Sequence, residues 1–368
     1  MLQPKQLIIP LLTFIFCSCN NSNNRYPYAI KDFSKTLQPY LVKMVEKGIV
    51  MGGDSALRHI ATDAELERLG RSEHPILRTA AFREMLERKS FNHFDIVMKH
   101  LDDTALVFTD AGEFGIWDRS VSDDILQEAE WKTQEEKNKT VDQVLTKNNY
   151  LRSAYIALEG LEPQEKYYLF IKDMATRSRR LDPYEGYELG FGDIEYALYG
   201  LAKFRKKEDA QIIKKKLMEH VWRMSDVSFR FMKDYPDTTY FDVLQTYHRR
   251  QFYKFSGNRP HGFTGYPADR AAPEDFIQAL VVQQTEKSAR LLDTMLTYLP
   301  KNERMPDKET IINEIITAIW EHPCPAYAQL REKIKPKAEE LLKGQISIPL
   351  DTYPTPVDTT GRTYRWYP

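Results

Sequence analysis

Apolar positions recur along most of the chain with a helical period, and residues 66–107 show the pattern most plainly. At 100° per residue from Leu77, the side chains of Leu77, Ala81, Met85, Phe82 and Leu86 cover half the circumference, the arc of a helix covered on more than one side. Arg78 falls in the middle of that arc. A guanidinium placed there needs an anion, because an unpaired buried charge is strongly destabilising. Asp102 and Asp103 are the expected partners if the next helical pair stacks on this one. A second helix over 91–101 carries Phe91, Phe94, Val97, Met98 and Leu101 on a narrower arc, with His93 and His100 opposite. Two helices that bury each other on one face leave a second face needing neighbours, so such pairs come in stacks.

The same period returns elsewhere. Leu37, Leu41, Met44 and Val45 predict a capping helix, closed by the break Met51-Gly52-Gly53-Asp54. Residues 108–135 are less regular, with a turn over 110–115 before a helix in VSDDILQEAEW. Two helices follow over 140–177, joined at 160–163, and another two over 193–220. Residues 254–273 hold three glycines and three prolines with no apolar period, and a loop of that length inside a folded chain is commonly functional or mobile. Pro273 opens a helix expected to continue through Leu299. The stripe Ile311, Ile312, Ile315, Ile316, Ile319 and Trp320 marks another, and a last helix is expected to reach about Lys343. The final residues are rich in proline and end in aromatics, an extended tail that either packs back through Tyr364, Trp366 and Tyr367 or offers them to a partner.

Within the first pair, His74-Pro75-Ile76-Leu77-Arg78 with Ala80 and Ala81 resembles the opening helix of a HEAT-type repeat. His74 stands where that family prefers Asp, and Leu77 where it prefers Val. The resemblance implies an all-α fold of stacked antiparallel helix pairs, an α-solenoid, in which Pro75, Arg78, Asp102 and Asp103 are structural and a long surface binds other proteins. The step from such a fold to a function is analogy.

Composition changes this picture little. Lys and Arg number 52 against 53 Asp and Glu, so the net charge of −1 favours no nucleic-acid partner. The first residues change it more. Lys5 precedes an apolar run over 7–17, too short to span a bilayer but suited to an export signal. The run ends in Phe16-Cys17-Ser18-Cys19 and a polar Asn/Ser stretch, which resembles a bacterial lipoprotein signal cleaved before Cys19, whose thiol then carries lipid. An ordinary secretory signal is the alternative. With Cys19 lipidated and Cys17 removed, Cys324 is the one thiol left and stability must come from the core. The expected organisation is a signal over 1–18, a polar tether over 19–30, a helical domain over 31–343 and the tail over 344–368.

No stretch carries a specific catalytic, metal or cofactor motif, and no cofactor is expected. The eight histidines lack metal-ligand spacing, and His93 and His100 lie about 10 Å apart along their helix. Asp102/Asp103 and Asp123/Asp124 read as a turn and a helix start, where negative charge is favourable, or else as the acids of a glycosidase. The basic run Lys203, Arg205, Lys206, Lys207, Lys214, Lys215 and Lys216 reads as a solvated helix face or a phosphate-binding one. The leading candidate binding surface is Arg249, Arg250, Phe252, Tyr253, Arg259, His261, Phe263 and Tyr266, beside His248, because arginine and aromatics concentrate at the energetic centres of interfaces. An ordered loop packed on the fold is the plainer reading. The function expected is binding, as a non-enzymatic, lipid-anchored envelope protein that touches the membrane through its lipid and holds another envelope protein. The rivals are a glycan-binding lipoprotein and an (α/α)-barrel glycoside hydrolase.

Overall fold

The computed structural model describes residues 30–50, 55–110, 116–177, 191–252, 273–301, 308–345 and 364–365. Cys19, the tether up to residue 29 and the segment from Tyr253 through Tyr266 lie outside them, as does most of the tail. Among the described residues there are seventeen α-helices and five short strands, so the all-α expectation holds at the level of class. By contacts the chain divides into two units, residues 1–84 with 108–117, and residues 85–107 with 118–368.

In the first unit, α1 (Gln38–Lys47) ends at Gly48, whose φ of 69° is the left-handed conformation that glycine adopts without strain. Next come β1 (Ile49–Val50), α2 (Ser55–Ile60), α3 (Asp63–Leu69) and α4 (Pro75–Glu87). Thr62 and Glu65 form a capping box at the start of α3, and Glu65 also accepts the Ser34 N–H at 3.0 Å, tying the entry of α1 to α3. The arc expected on α4 is found: Leu77, Ala81, Phe82, Met85 and Leu86 are all buried. Gly70 allows the Phe82 ring to approach closely, since a Cβ there would sit 2.9 Å from it. After α5 (His93–His100), residues 106–120, where a turn and irregular chain were expected, hold two strands, β2 (Leu106–Asp110) and β3 (Ile116–Ser120). β1 pairs in parallel with β2, Ile49 opposite Phe108 and Val50 opposite Thr109, in a sheet of order β1-β2-β3.

The second unit is a succession of helices: α5, then α6 (Val121–Glu128), α7 (Gln134–Thr146), α8 (Arg152–Gly160), α9 (Glu165–Thr176), α10 (Phe191–Ala202), α11 (Lys207–Glu219), α12 (Asp226–Asp234) and α13 (Phe241–Tyr247), with α14 (Pro273–Val281), α15 (Glu286–Tyr298), α16 (Lys308–Glu321) and α17 (Ala328–Gln345) following. Each helix from α5 to α14 packs on the helix two places along. One series runs α6, α8, α10, α12, α14, α16 and the other α5, α7, α9, α11, α13, α15, with sequence neighbours also touching, as α9 does α10 and α16 does α17. Gly200 permits a close approach here: a Cβ there would meet Leu158 of α8 at 3.2 Å and Ile171 of α9 at 3.3 Å.

Polar groups link helices within each series. Asp123, in the first turn of α6, accepts the Ser153 N–H of α8 at 2.8 Å, and Glu195 of α10 accepts the Ser225 N–H at the start of α12 at 2.7 Å. Both reach across 30 residues, so an acid on one helix supplies the anion for the amino end of the helix two places on. In the other series the links are ion pairs: Lys166 to Asp142 at 2.6 Å, Lys172 to Asp209 at 2.8 Å and Lys214 to Asp242; a further pair joins Asp293 of α15 to Lys333 of α17.

The helix expected over 273–299 is two helices. Gln284 takes φ 50°, and Thr285 and Ser288 cap the start of α15, so the chain turns between α14 and α15. β4 (Glu130–Trp131) pairs antiparallel with β5 (Tyr364–Arg365), Trp131 opposite Tyr364. That pairing is the packing-back alternative for Tyr364.

Candidate functional site: a charged stripe on α8, α10 and α12

The second unit carries a group of interacting polar side chains on three successive members of one series. α12 starts at the N-cap Ser225, whose hydroxyl accepts the Val227 N–H, and Asp226, Arg230 and Asp234 then follow at helical spacing on one face. α10 carries Tyr196 and Tyr199, Lys203 follows just past its end at the same kind of spacing, and α8 adds Glu159.

Arg230 sits between two carboxylates. It donates to Asp226 at 2.6 Å within its own helix and to Glu159 across to α8. Burial works against its charge, but Glu159 and Asp226 more than offset that and raise its pKa above the ordinary value. The Tyr196 phenol is held protonated by burial and by the negative charge of Glu159 and Asp226. Tyr199 is buried and donates its hydroxyl to Asp234 at 2.8 Å, while its ring meets Phe231 with centroids 6.2 Å apart. Lys203 donates to the carbonyl oxygens of Leu158, Glu159 and Leu161, placing a cation at the carboxyl end of α8, where the helix dipole favours one. Burial lowers its pKa from the usual lysine value.

Beneath this stripe Glu195 is 1 % exposed. Its carboxyl accepts the Ser225 N–H and hydroxyl, each at 2.7 Å, and the Ser228 hydroxyl. Burial raises its pKa to about 7, against the lowering effect of these donors. A carboxyl near neutrality has the value a general acid needs, but here its oxygens are committed to α12, and its work is to join α10 to α12.

Of the residues singled out in the sequence, Arg249 and Arg250 are exposed on a π-helical turn, His248–Phe252, that continues α13. His248 is not in the surface: it is buried, stacks on Phe276 with centroids 6.3 Å apart, and burial lowers its pKa to about 4. Pro75 opens α4, and Arg78, half-buried, donates to the carbonyl oxygens of Ser72 and Glu73 at 2.8 Å each. Asp102 accepts from the Asn148 amide at 2.6 Å, and the Asp103 carbonyl accepts the Ser122 N–H and hydroxyl. Asp123 and Asp124 lie in the first turn of α6, the helix-start reading. Much of the basic run is occupied within the chain: Lys206 pairs with Glu165 at 3.1 Å, Lys214 with Asp242, and Lys216 with Glu219 at 3.6 Å. Among the described residues no group of three or more His, Cys, Asp or Glu is placed to hold a metal ion, and no helix is long and apolar enough to cross a membrane.

The sequence reading passed over Glu159, Glu195, Asp226 and Arg230. A signal for α12 was available in Asp226, Arg230 and Asp234, four residues apart behind the N-cap Ser225. Nothing comparable marks Glu159 or Glu195, whose partners lie on other helices. No family model, curated protein or solved structure matches the chain.

Proposed function

We propose that this chain is an exported, lipid-anchored binding protein of the cell envelope, whose helices form a HEAT-like α-solenoid and hold another envelope protein. The observation that carries the reading is the regular packing of each helix from α5 to α14 on the one two places along, which is the order expected of stacked helix pairs. The charged stripe of Glu159, Tyr196, Asp226, Arg230 and Asp234 supplies a contact surface whose charges are already fixed by one another. Pre-ordered side chains lose little freedom on binding. The anchor rests on the sequence around Cys19.

The test joins both parts. Cells making the full chain are fed an alkyne fatty acid, fractionated and cross-linked, and the captured protein and polysaccharide are identified. The wild-type chain is expected in the membrane fraction carrying the label, with one envelope protein recovered reproducibly. Cys19→Ser is expected to lose the label, and Arg230→Glu to lose the partner while keeping the label. Label on the Cys19→Ser chain would remove the anchor, and a partner retained by Arg230→Glu would remove the stripe. Polysaccharide captured without protein would favour the glycan-binding rival, although Tyr199 is buried and Tyr196 half-buried, not exposed as a sugar platform requires.

A further inference from the structure

A cavity of about 320 Å³ opens in the second unit between the turn joining α10 to α11 and the turn after α12. That volume lies at the lower end of the range of roughly 300–1,000 Å³ in which small-molecule sites fall. Its wall includes the amino end of α11, a helix of 13 residues whose N-cap is Lys206 and whose first N–H groups receive no side-chain cap. Arg205, Lys206 and Lys207 line this end. Such a terminus favours an anion through its free N–H groups and its dipole.

A second, independent feature points into the same space. Tyr240, only 2 % exposed, lines the cavity, and its hydroxyl makes no hydrogen bond with any described residue. The two acids of the wall are already engaged: Asp209 accepts from Tyr168 at 3.0 Å and from Lys172 at 2.8 Å, and Asp237 accepts the Thr239 N–H at 2.8 Å. Tyr235 gives a flat wall, with the Arg205 guanidinium 5.3 Å from its ring centroid.

We propose that this cavity binds a small organic anion, with its phosphate or carboxylate group at the amino end of α11 between Arg205 and Lys207, and its planar body along Tyr235 within reach of the Tyr240 hydroxyl. The site adjoins the charged stripe, with Tyr235 packed against Tyr199 at a centroid distance of 6.0 Å, but does not depend on the partner proposed for it. Recognition here is of a headgroup and a ring, so a bare ion meets only half of it.

Arg205 makes the test selective. It holds φ 53°, a conformation that costs a non-glycine residue stability, so Arg205→Gly removes the guanidinium while relieving the backbone. Calorimetric titration of the full chain at low ionic strength with phenyl phosphate, benzoate and inorganic phosphate reads the outcome. The expected result is saturable binding of phenyl phosphate or benzoate, which tells the two acidic groups apart, weakened about tenfold in Arg205→Gly with an unchanged or higher Tm, and by roughly 3- to 10-fold in Tyr240→Phe. No saturable binding of either ring compound overturns the proposal, as does equal binding by both variants. Inorganic phosphate bound as tightly as phenyl phosphate, with no response to Tyr240→Phe, also overturns it, leaving an ion site only.

Discussion

Glu195 shows how one side chain can make the stability of this protein depend on pH. Its folded pKa of about 7 stands above the ordinary 4.5, so the folded state binds its proton more tightly than the unfolded state does. The contribution is therefore greatest below about 4.5 and is lost as pH rises through 7. Calorimetry should show the Tm of the wild-type chain falling across that window, and Glu195→Gln, which keeps an acceptor for the Ser225 N–H, losing that part of the fall. A wild-type and Gln profile of the same slope would mean that the carboxyl is solvated. Glu195→Ala should cost roughly 1–3 kcal/mol at low pH, since it strands the donors of Ser225 and Ser228, and less as the pH rises through 7. None of this was legible in the sequence. Glu195 stands beside Ile194 and Tyr196 in a helix that reads as amphipathic, and only the fold brings the start of α12 to it. The arc of α4 was legible, because Leu77, Ala81 and Phe82 announce their burial through spacing alone.

At the scale of elements, the sequence showed best those helices whose apolar stripes are long, such as α16 with Ile311, Ile315 and Ile319. It failed where a boundary depends on one backbone conformation. The stripe from Phe276 to Leu299 reads as one helix, because Gln284 carries no sign that it will turn left-handed and the Thr285 cap is answered by Ser288 in place of the usual Glu or Gln. Gln284→Gly should raise stability by up to about 1 kcal/mol by relieving that conformation, and Thr285→Ala should lower it by roughly 1 kcal/mol by removing the cap. Urea unfolding of the two variants checks both signs, and a loss in Gln284→Gly would place the turn elsewhere. The short strands were missed for a related reason: two to five residues are too few to display alternation. Gly200 gives a third prediction, since a larger side chain has to displace Leu158 and Ile171; Gly200→Leu should cost roughly 1–3 kcal/mol, and an unchanged midpoint would mean that α10 is free to move away from α8 and α9.

For the whole molecule, stability is expected to be graded along the second unit, because each helix draws its support from near neighbours in sequence. Hydrogen exchange should therefore protect α8, α10 and α12 more strongly than α17, whereas uniform protection would mean that the unit opens only as one body. High salt should change the Tm little, since the Lys–Asp pairs between helices, apart from Lys172 with the buried Asp209, are largely solvent-exposed and contribute little. Those pairs matter more on another timescale. Every rung joins residues on different helices, Lys172 to Asp209, Lys214 to Asp242, Lys333 to Asp293, so losing one partner leaves an unanswered charge on a neighbour. Descendants of this sequence should therefore drift in couples, exchanging acid for base at both ends of a rung or at neither, and the buried Asp209 rung should be the slowest of all to change.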